Sequence, residues 1–282
     1  YGLFNIYMPR SKLMTMFLIL KDLLIARIKL PDKKIDRLLE LPLMQDEEQK
    51  RFQEFVLAVA PTIYQYDQNL FVWNIMRMLF PSIKKGNNGV SSFAYIGLGM
   101  VLSQLFAKYQ TGKKLANVAI QLNSKLGYTA LKWKVRLSYY NFVQHWTDPV
   151  RPVVDEILDV ENGAWANGDP IYAGYCIFIY HQKKYALGFH LKELQESFEN
   201  YLRITQQRHD VETYHFLSGY YYAVRCLRGE ESNTLLMGES YNAPQQLQKN
   251  IELASFSVVA DTSIAYMGIL FLFGHIEKAL DQ

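Results

Sequence analysis

Ser91 to Gly127 reads SSFAYIGLGMVLSQLFAKYQTGKKLANVAIQLNSKLG. Its first half is a long apolar run, which predicts a helix from Val90 to Tyr109. Gln110-Thr111-Gly112 reads as a break. A second helix is expected from Lys113 to Leu126. Gly127 then stands just past its end, where the backbone turns left-handed and glycine is favoured. Two helices joined by so short a break make an antiparallel hairpin. Gly97 and Gly99 form a lone GxG inside the apolar helix. With no strand beside it and no downstream kinase motifs, it reads as small residues that allow close helix packing. TGKK at 111–114 lacks the upstream glycine of a phosphate loop.

The hairpin pattern recurs along the chain. First helices of successive pairs are expected near residues 52, 91, 130, 171 and 211, a period of about 40 residues that marks an α-solenoid. An opening helix (Ser11 to Lys29) and a short one between Pro31 and Pro42 precede them. Asp46-Glu47-Glu48 puts acids at the start of the next helix, which suits its dipole. Further helices are expected over Phe71–Ile83, Thr129–Trp146, Pro149–Trp165, Ile171–Tyr185, Leu191–Gln206 and Val211–Leu227. Gly229–Pro244 reads as a loop, and two helices finish the chain. The expected fold is all-α: an α-solenoid of tetratricopeptide-like antiparallel hairpins over residues 67–282, preceded by a helical adaptor over 1–66. The chain begins at Tyr1 and stops just after FGHIEKAL, before a second helix is complete, so a piece of a longer protein is expected.

Composition agrees with helices. Half of the 282 residues are apolar, enough for a large core, and 16 glycines and 9 prolines are few breakers for that length. The net charge of +3 is small and its basic residues are dispersed, so no nucleic-acid footprint is present. Leu13–Leu30 is the most apolar early run, but Lys21, Asp22 and Arg27 interrupt it and argue against a membrane span. Cys176 and Cys226 sit among apolar residues as buried thiols, which fits a reducing, cytoplasmic setting.

The stretch HWTDPVRPVVDEI, His145–Ile157, crowds a histidine, a tryptophan, acids, prolines and an arginine into thirteen residues. It reads as a helix junction. Asp148 is placed to cap the next helix, with Pro149 at its first position. A metal site would want His and carboxylate on one helical face, and the junction separates His145, Asp148 and Asp155. No GxSxG elbow, CxxC pair or zinc-type histidine spacing occurs, so no catalytic residue, cofactor or metal ligand is assigned to this chain. His209-Asp210 reads as another helix boundary, with Asp210 as the cap.

From His145 to Tyr180 the sequence HWTDPVRPVVDEILDVENGAWANGDPIYAGYCIFIY resembles the helical region of very large bacterial signalling proteins. His145, Trp146, Pro149, Arg151, Gly163, Gly168, Asp169, Tyr172, Ala173, Tyr175 and Cys176 carry the likeness. NLFVWNIMRM, SSFAYIGLGMVL and KLMTMFLILKDLLIARIKLP extend it over nearly the whole chain. Such proteins join a serine/threonine kinase domain, an AAA- or STAND-type ATPase, a tetratricopeptide-like helical region, a GAF sensor and often a two-component histidine kinase. The resemblance implies a non-catalytic scaffold or sensor segment, with ATP bound only in flanking domains. Its partner would be another protein or a neighbouring domain. A free-standing helical-repeat adaptor or a small-ligand binder is the alternative.

The tyrosine clusters mark a candidate partner groove. Adjacent helical residues point about 100° apart, so Tyr139-Tyr140 and Tyr220-Tyr221-Tyr222 cannot all face the core. Tyr140, Gln144, Phe178, His181, Tyr185 and Tyr221 are the expected groove residues, on the assumption that first helices line a concave face.

Overall fold

The computed structural model describes residues 8–9, 11–231, 234–238, 241–253 and 255–281. Among these, every regular element is a helix, and only isolated bridges pair Leu43 with Asn87 and Met237 with Asn242. No helix of the described residues is long and apolar enough to cross a membrane. The chain divides into two compact units, Tyr1–Pro149 and Val150–Gln282.

The first unit contains α1 (Lys12–Lys29), α2 (Glu47–Ala58), α3 (Ala60–Tyr66), α4 (Gln68–Lys85), α5 (Ser91–Phe106), α6 (Tyr109–Leu126) and α7 (Thr129–Phe142). Where a short helix was expected between Pro31 and Pro42, there are two 3₁₀ turns, Asp32–Lys34 and Asp36–Glu40. Caps set several starts: Ser11 accepts from the Met14 N–H, Asp46 from Gln49, and Asp67 from Asn69 and Leu70. The α5 helix is central, packing against α4, α6 and α7, and Ala94, Tyr95 and Ile96 are wholly buried in it. Phe52, Val56, Ala60 and Ile63 join Trp73, Met76 and Tyr95 in one core. In the described part of residues 1–66, helices α1, α2 and α3 all pack on α4.

Two devices hold this core. Gln53 is fully buried, and its amide donates to the Met78 carbonyl (2.6 Å) and Ser82 Oγ (2.9 Å) while accepting from Asn88 Nδ2 (2.6 Å). All its polar atoms are thus satisfied away from water, as a buried amide requires. Glycines supply the second. Gly97 lies against Ile75, and Gly99 and Gly112 bring α5 and α6 together backbone to backbone. Gly112 is thus inside α6 and breaks nothing. The break falls at Ala107-Lys108, where Ala107 takes the left-handed conformation (φ 52°) and the Lys108 N–H donates to the Leu102 carbonyl. Gly127 does close α6 with φ 62°.

The second unit contains α8 (Glu156–Ala166), α9 (Pro170–Ala186), α10 (Leu191–Gln207), α11 (Val211–Leu227), α12 (Ala243–Glu252), α13 (Phe256–Leu272) and α14 (Ile276–Leu280). The α9, α11 and α13 helices pack side by side as one layer, and α8, α10 and α12 each pack mainly on the layer helix that follows. Asp169 and Asp210 cap α9 and α11 through Tyr172 and Thr213. In the expected loop Gly229–Pro244, residues 232–233 and 239–240 lie outside the described residues.

The junction at His145–Ile157 differs from expectation. Asp148 caps no helix; its carboxylate accepts from Lys113 Nζ (2.7 Å) and Thr147 Oγ (2.8 Å). These two bonds hold its pKa below the ordinary value. A 3₁₀ turn over Arg151–Val153 follows, and α8 starts only at Glu156. Trp146 stacks on Tyr109 at 4.8 Å.

Candidate ligand site

Of the expected groove residues, Tyr140 and Gln144 belong to the first unit and the other four to the second. Both are buried. Gln144 donates to the carbonyls of Pro149 (2.6 Å) and Asp148 (3.3 Å), which makes it a tie within the junction turn. Phe178 is buried in a 4.4 Å stack on Phe216. His181 is 0% exposed. Its Nδ1 lies 2.7 Å from the Ile177 carbonyl, which can only accept, so Nε2 accepts from Ser197 Oγ at 2.9 Å. Burial pushes its pKa down to about 4, and the ring is neutral at pH 7. Tyr185 and Tyr221 are half-buried. Tyr185 meets Tyr220 edge-on at 5.3 Å, whereas the Tyr221 hydroxyl donates to Glu199 Oε1 at 3.2 Å. The four do not line one groove. Phe178, His181 and Tyr185 lie on α9, which is packed against α8, α10 and α11, whereas Tyr221 lies on α11.

A polar cluster does lie within the α9–α11–α13 layer. Gln182 Nε2 donates to Asp261 Oδ1 (2.8 Å) and to the Tyr220 hydroxyl (3.2 Å). Burial raises the Asp261 carboxyl from an ordinary 3.8 to about 6. The folded state therefore holds this proton more tightly than the unfolded chain does. Its penalty is absent below pH 3.8, grows as pH rises toward 6 and is complete above that. Asp261→Asn keeps an oxygen to accept from Gln182 and removes the charge. Urea unfolding at pH 7.5 should show it more stable by about 1 kcal/mol, discounted for partial exposure, with no gain at pH 3.5. An equal gain at both pH values would rule out the charge as its cause.

The open site of the second unit is on another face of α11. Tyr214, His215, Ser218 and Tyr222 fall at helical spacing along it. Opposite them stand Asn242, Gln245, Gln246 and Lys249 of α12 and its cap, with Met237, Gly238 and Tyr241 from the preceding loop. Together they enclose a cleft of about 550 Å³. Tyr222 and Tyr241 stack at 4.4 Å and 12°, forming an aromatic wall. Gln246 Nε2 lies 3.3 Å from His215 Nδ1, so the amide donates and the imidazole proton sits on Nε2. Burial, then the charge of Lys249, lowers the His215 pKa. The Tyr241 hydroxyl is buried without a hydrogen-bond partner among the described residues, and burial raises its pKa.

Among the described residues, the lining therefore offers hydroxyls, amides, an imidazole and aromatic faces, with one ammonium and no carboxylate. That chemistry suits a polar, ring-bearing ligand held by stacking and hydrogen bonds. Among the described residues no group of three His, Cys, Asp or Glu could hold a metal ion. Cys176 and Cys226 are buried, and burial raises both thiols. The tyrosine run pointed to this part of α11, since Tyr222 is in it. Tyr214, His215 and Tyr241 were missed. The usable signal was the matched spacing of 214, 215, 218 and 222 with 242, 245, 246 and 249. No family model matches this chain, and no curated protein matches it either.

Proposed function

We propose that this chain is a non-catalytic helical-repeat segment that serves as a binding platform in a bacterial signalling kinase–ATPase of the cytoplasm. The observation that carries this reading is the α9–α11–α13 layer, in which each helix is backed by a preceding one. Stacked helical pairs bury their apolar stripes only against neighbours and expose long continuous surfaces for partners. The starts of α5, α7, α9 and α11 at Ser91, Thr129, Pro170 and Val211 support a repeat of about 40 residues. The likeness of His145–Tyr180 to the helical region of such signalling proteins adds the context. ATP would bind in flanking domains, and the tyrosine cleft would be where a partner or effector acts on them.

Extending the reading frame beyond Tyr1 and Gln282 tests this. ATPase motifs on the amino side, with GAF and histidine-kinase motifs on the carboxyl side, are the expected result. In that parent, Tyr222→Ala with Tyr241→Ala should change how kinase activity responds to its stimulus. Stop codons close to both ends would overturn the signalling reading and leave the small-ligand alternative, which the cleft itself favours.

A further inference from the structure

The α1 helix is turned with a polar side inward. Thr15 and Asp22 are buried beside Ile19 and Ala26, while Leu13, Phe17, Leu20, Leu24 and Ile28 are exposed. Beside this exposed strip, between α1 and the α5–α6 hairpin, runs a groove of about 340 Å³. Ala26, Leu30, Ile35, Leu98 and Leu115 form a buried apolar floor. Leu20, Leu24 and Phe106 are its exposed lip. The volume is within the range of small-molecule sites, roughly 300–1,000 Å³.

One end of this groove is polar. Thr111 Oγ donates to Asp32 Oδ2 at 3.1 Å, which joins the start of α6 to the turn after α1. Arg27, in the last turn of α1, and Lys108, just before α6, line the groove together with this pair. Among the described residues neither cation is ion-paired with an acid. Asp32 offsets one of the two charges, so the end carries a net positive charge against an otherwise apolar trough.

We infer that this groove binds a linear aliphatic carboxylate, its chain along the leucine floor and its carboxylate at Arg27 and Lys108. The inference goes beyond the proposed scaffold role and stands on a different unit of the chain. Charge complementarity selects the acid over a neutral lipid. Each methylene buried contributes about 0.8 kcal/mol, so affinity should follow chain length.

The test is calorimetric titration of the whole chain with decanoate below its micellar concentration. Saturable binding at one site is expected, with octanoate about tenfold weaker. The exposed-residue variant Arg27→Gln with Lys108→Gln should bind decanoate about fivefold more weakly, and 1-decanol should not respond to it. Leu102→Trp, which fills the groove, should abolish binding without lowering the thermal midpoint, whereas Leu13→Ser on the outer strip should not affect it. No saturable binding would overturn the proposal, as would equal decanoate affinity in the charge variant. Self-association abolished by Leu24→Lys, with no decanoate binding, would give the face to a second copy and equally overturn it.

Discussion

Gly112→Val should destabilise the first unit by about 3 kcal/mol or more, the largest effect of any single substitution considered. A Cβ built at Gly112 would stand 2.0 Å from Ser103 Oγ and 2.8 Å from the Gly99 carbonyl oxygen. The serine can rotate away, but the carbonyl belongs to a helix locked between α4, α6 and α7. Relief therefore requires α5 and α6 to separate, and core packing tolerates such separation poorly. Gly112→Ala should cost less, because the better helix propensity of alanine, about 1 kcal/mol, offsets part of the clash. Gly268 in α13 is the control. A Cβ there meets nothing within 4 Å, so Gly268→Ala should stabilise by about 0.5–1 kcal/mol. Urea unfolding followed by tryptophan fluorescence measures both. Trp73, Trp133 and Trp146 report the first unit and Trp165 the second. If Gly112→Val unfolds at the wild-type midpoint, the helices are not in the contact described.

Arg77→Ala should be nearly as damaging, at about 3 kcal/mol. Asp22 is 3% exposed, and the Arg77 guanidinium hydrogen-bonds and ion-pairs with it. Lys21 lies 3.8 Å from the same carboxylate but is itself half in water. Removing Arg77 leaves a charge in the interface of α1 and α4 with only a solvated partner. Replacing both members should be much milder, since an apolar pair needs no compensating charge. Asp22→Leu with Arg77→Met is thus expected within about 1 kcal/mol of wild type. Hydrogen exchange adds a local readout: amides of α1 should lose protection in Arg77→Ala before those of α5 do. A cost below about 1 kcal/mol for the single variant would show that the pair is solvated.

Gly112 and Asp148 show what was legible in the sequence and what was not. Helices α9, α10 and α11 appeared within a residue of their observed bounds, because apolar spacing and the Asp210 cap agree there. Gly112 was misread because a glycine after a long apolar run resembles a stop, while the actual turn uses Ala107, a residue with no such signature. Only the approach of another backbone distinguishes a breaking glycine from a packing one, and that approach is tertiary. Asp148 was misread for a similar reason: a lysine 35 residues earlier, Lys113, competes for its carboxylate. Four of the expected groove residues, Tyr140, Gln144, Phe178 and His181, are buried. Periodicity identifies one apolar stripe per helix, but α9 is enclosed by α8, α10 and α11, so Phe178 and His181 are interior too. The cleft needs α11, α12 and the loop between them; each helix shows its own spacing, but only the tertiary fold turns the two faces toward each other.

The boundary after Pro149 bears on how the protein is made. Every residue of the core from Ile19 to Val143 precedes it in the chain. Synthesis runs from the amino end at about 5–20 residues per second, and domains generally fold as units in that order. The first core can thus close while the second unit is still being translated. Few of its leucines and aromatics then wait uncovered at the ribosome, and nascent chains of this protein have little time to associate through them.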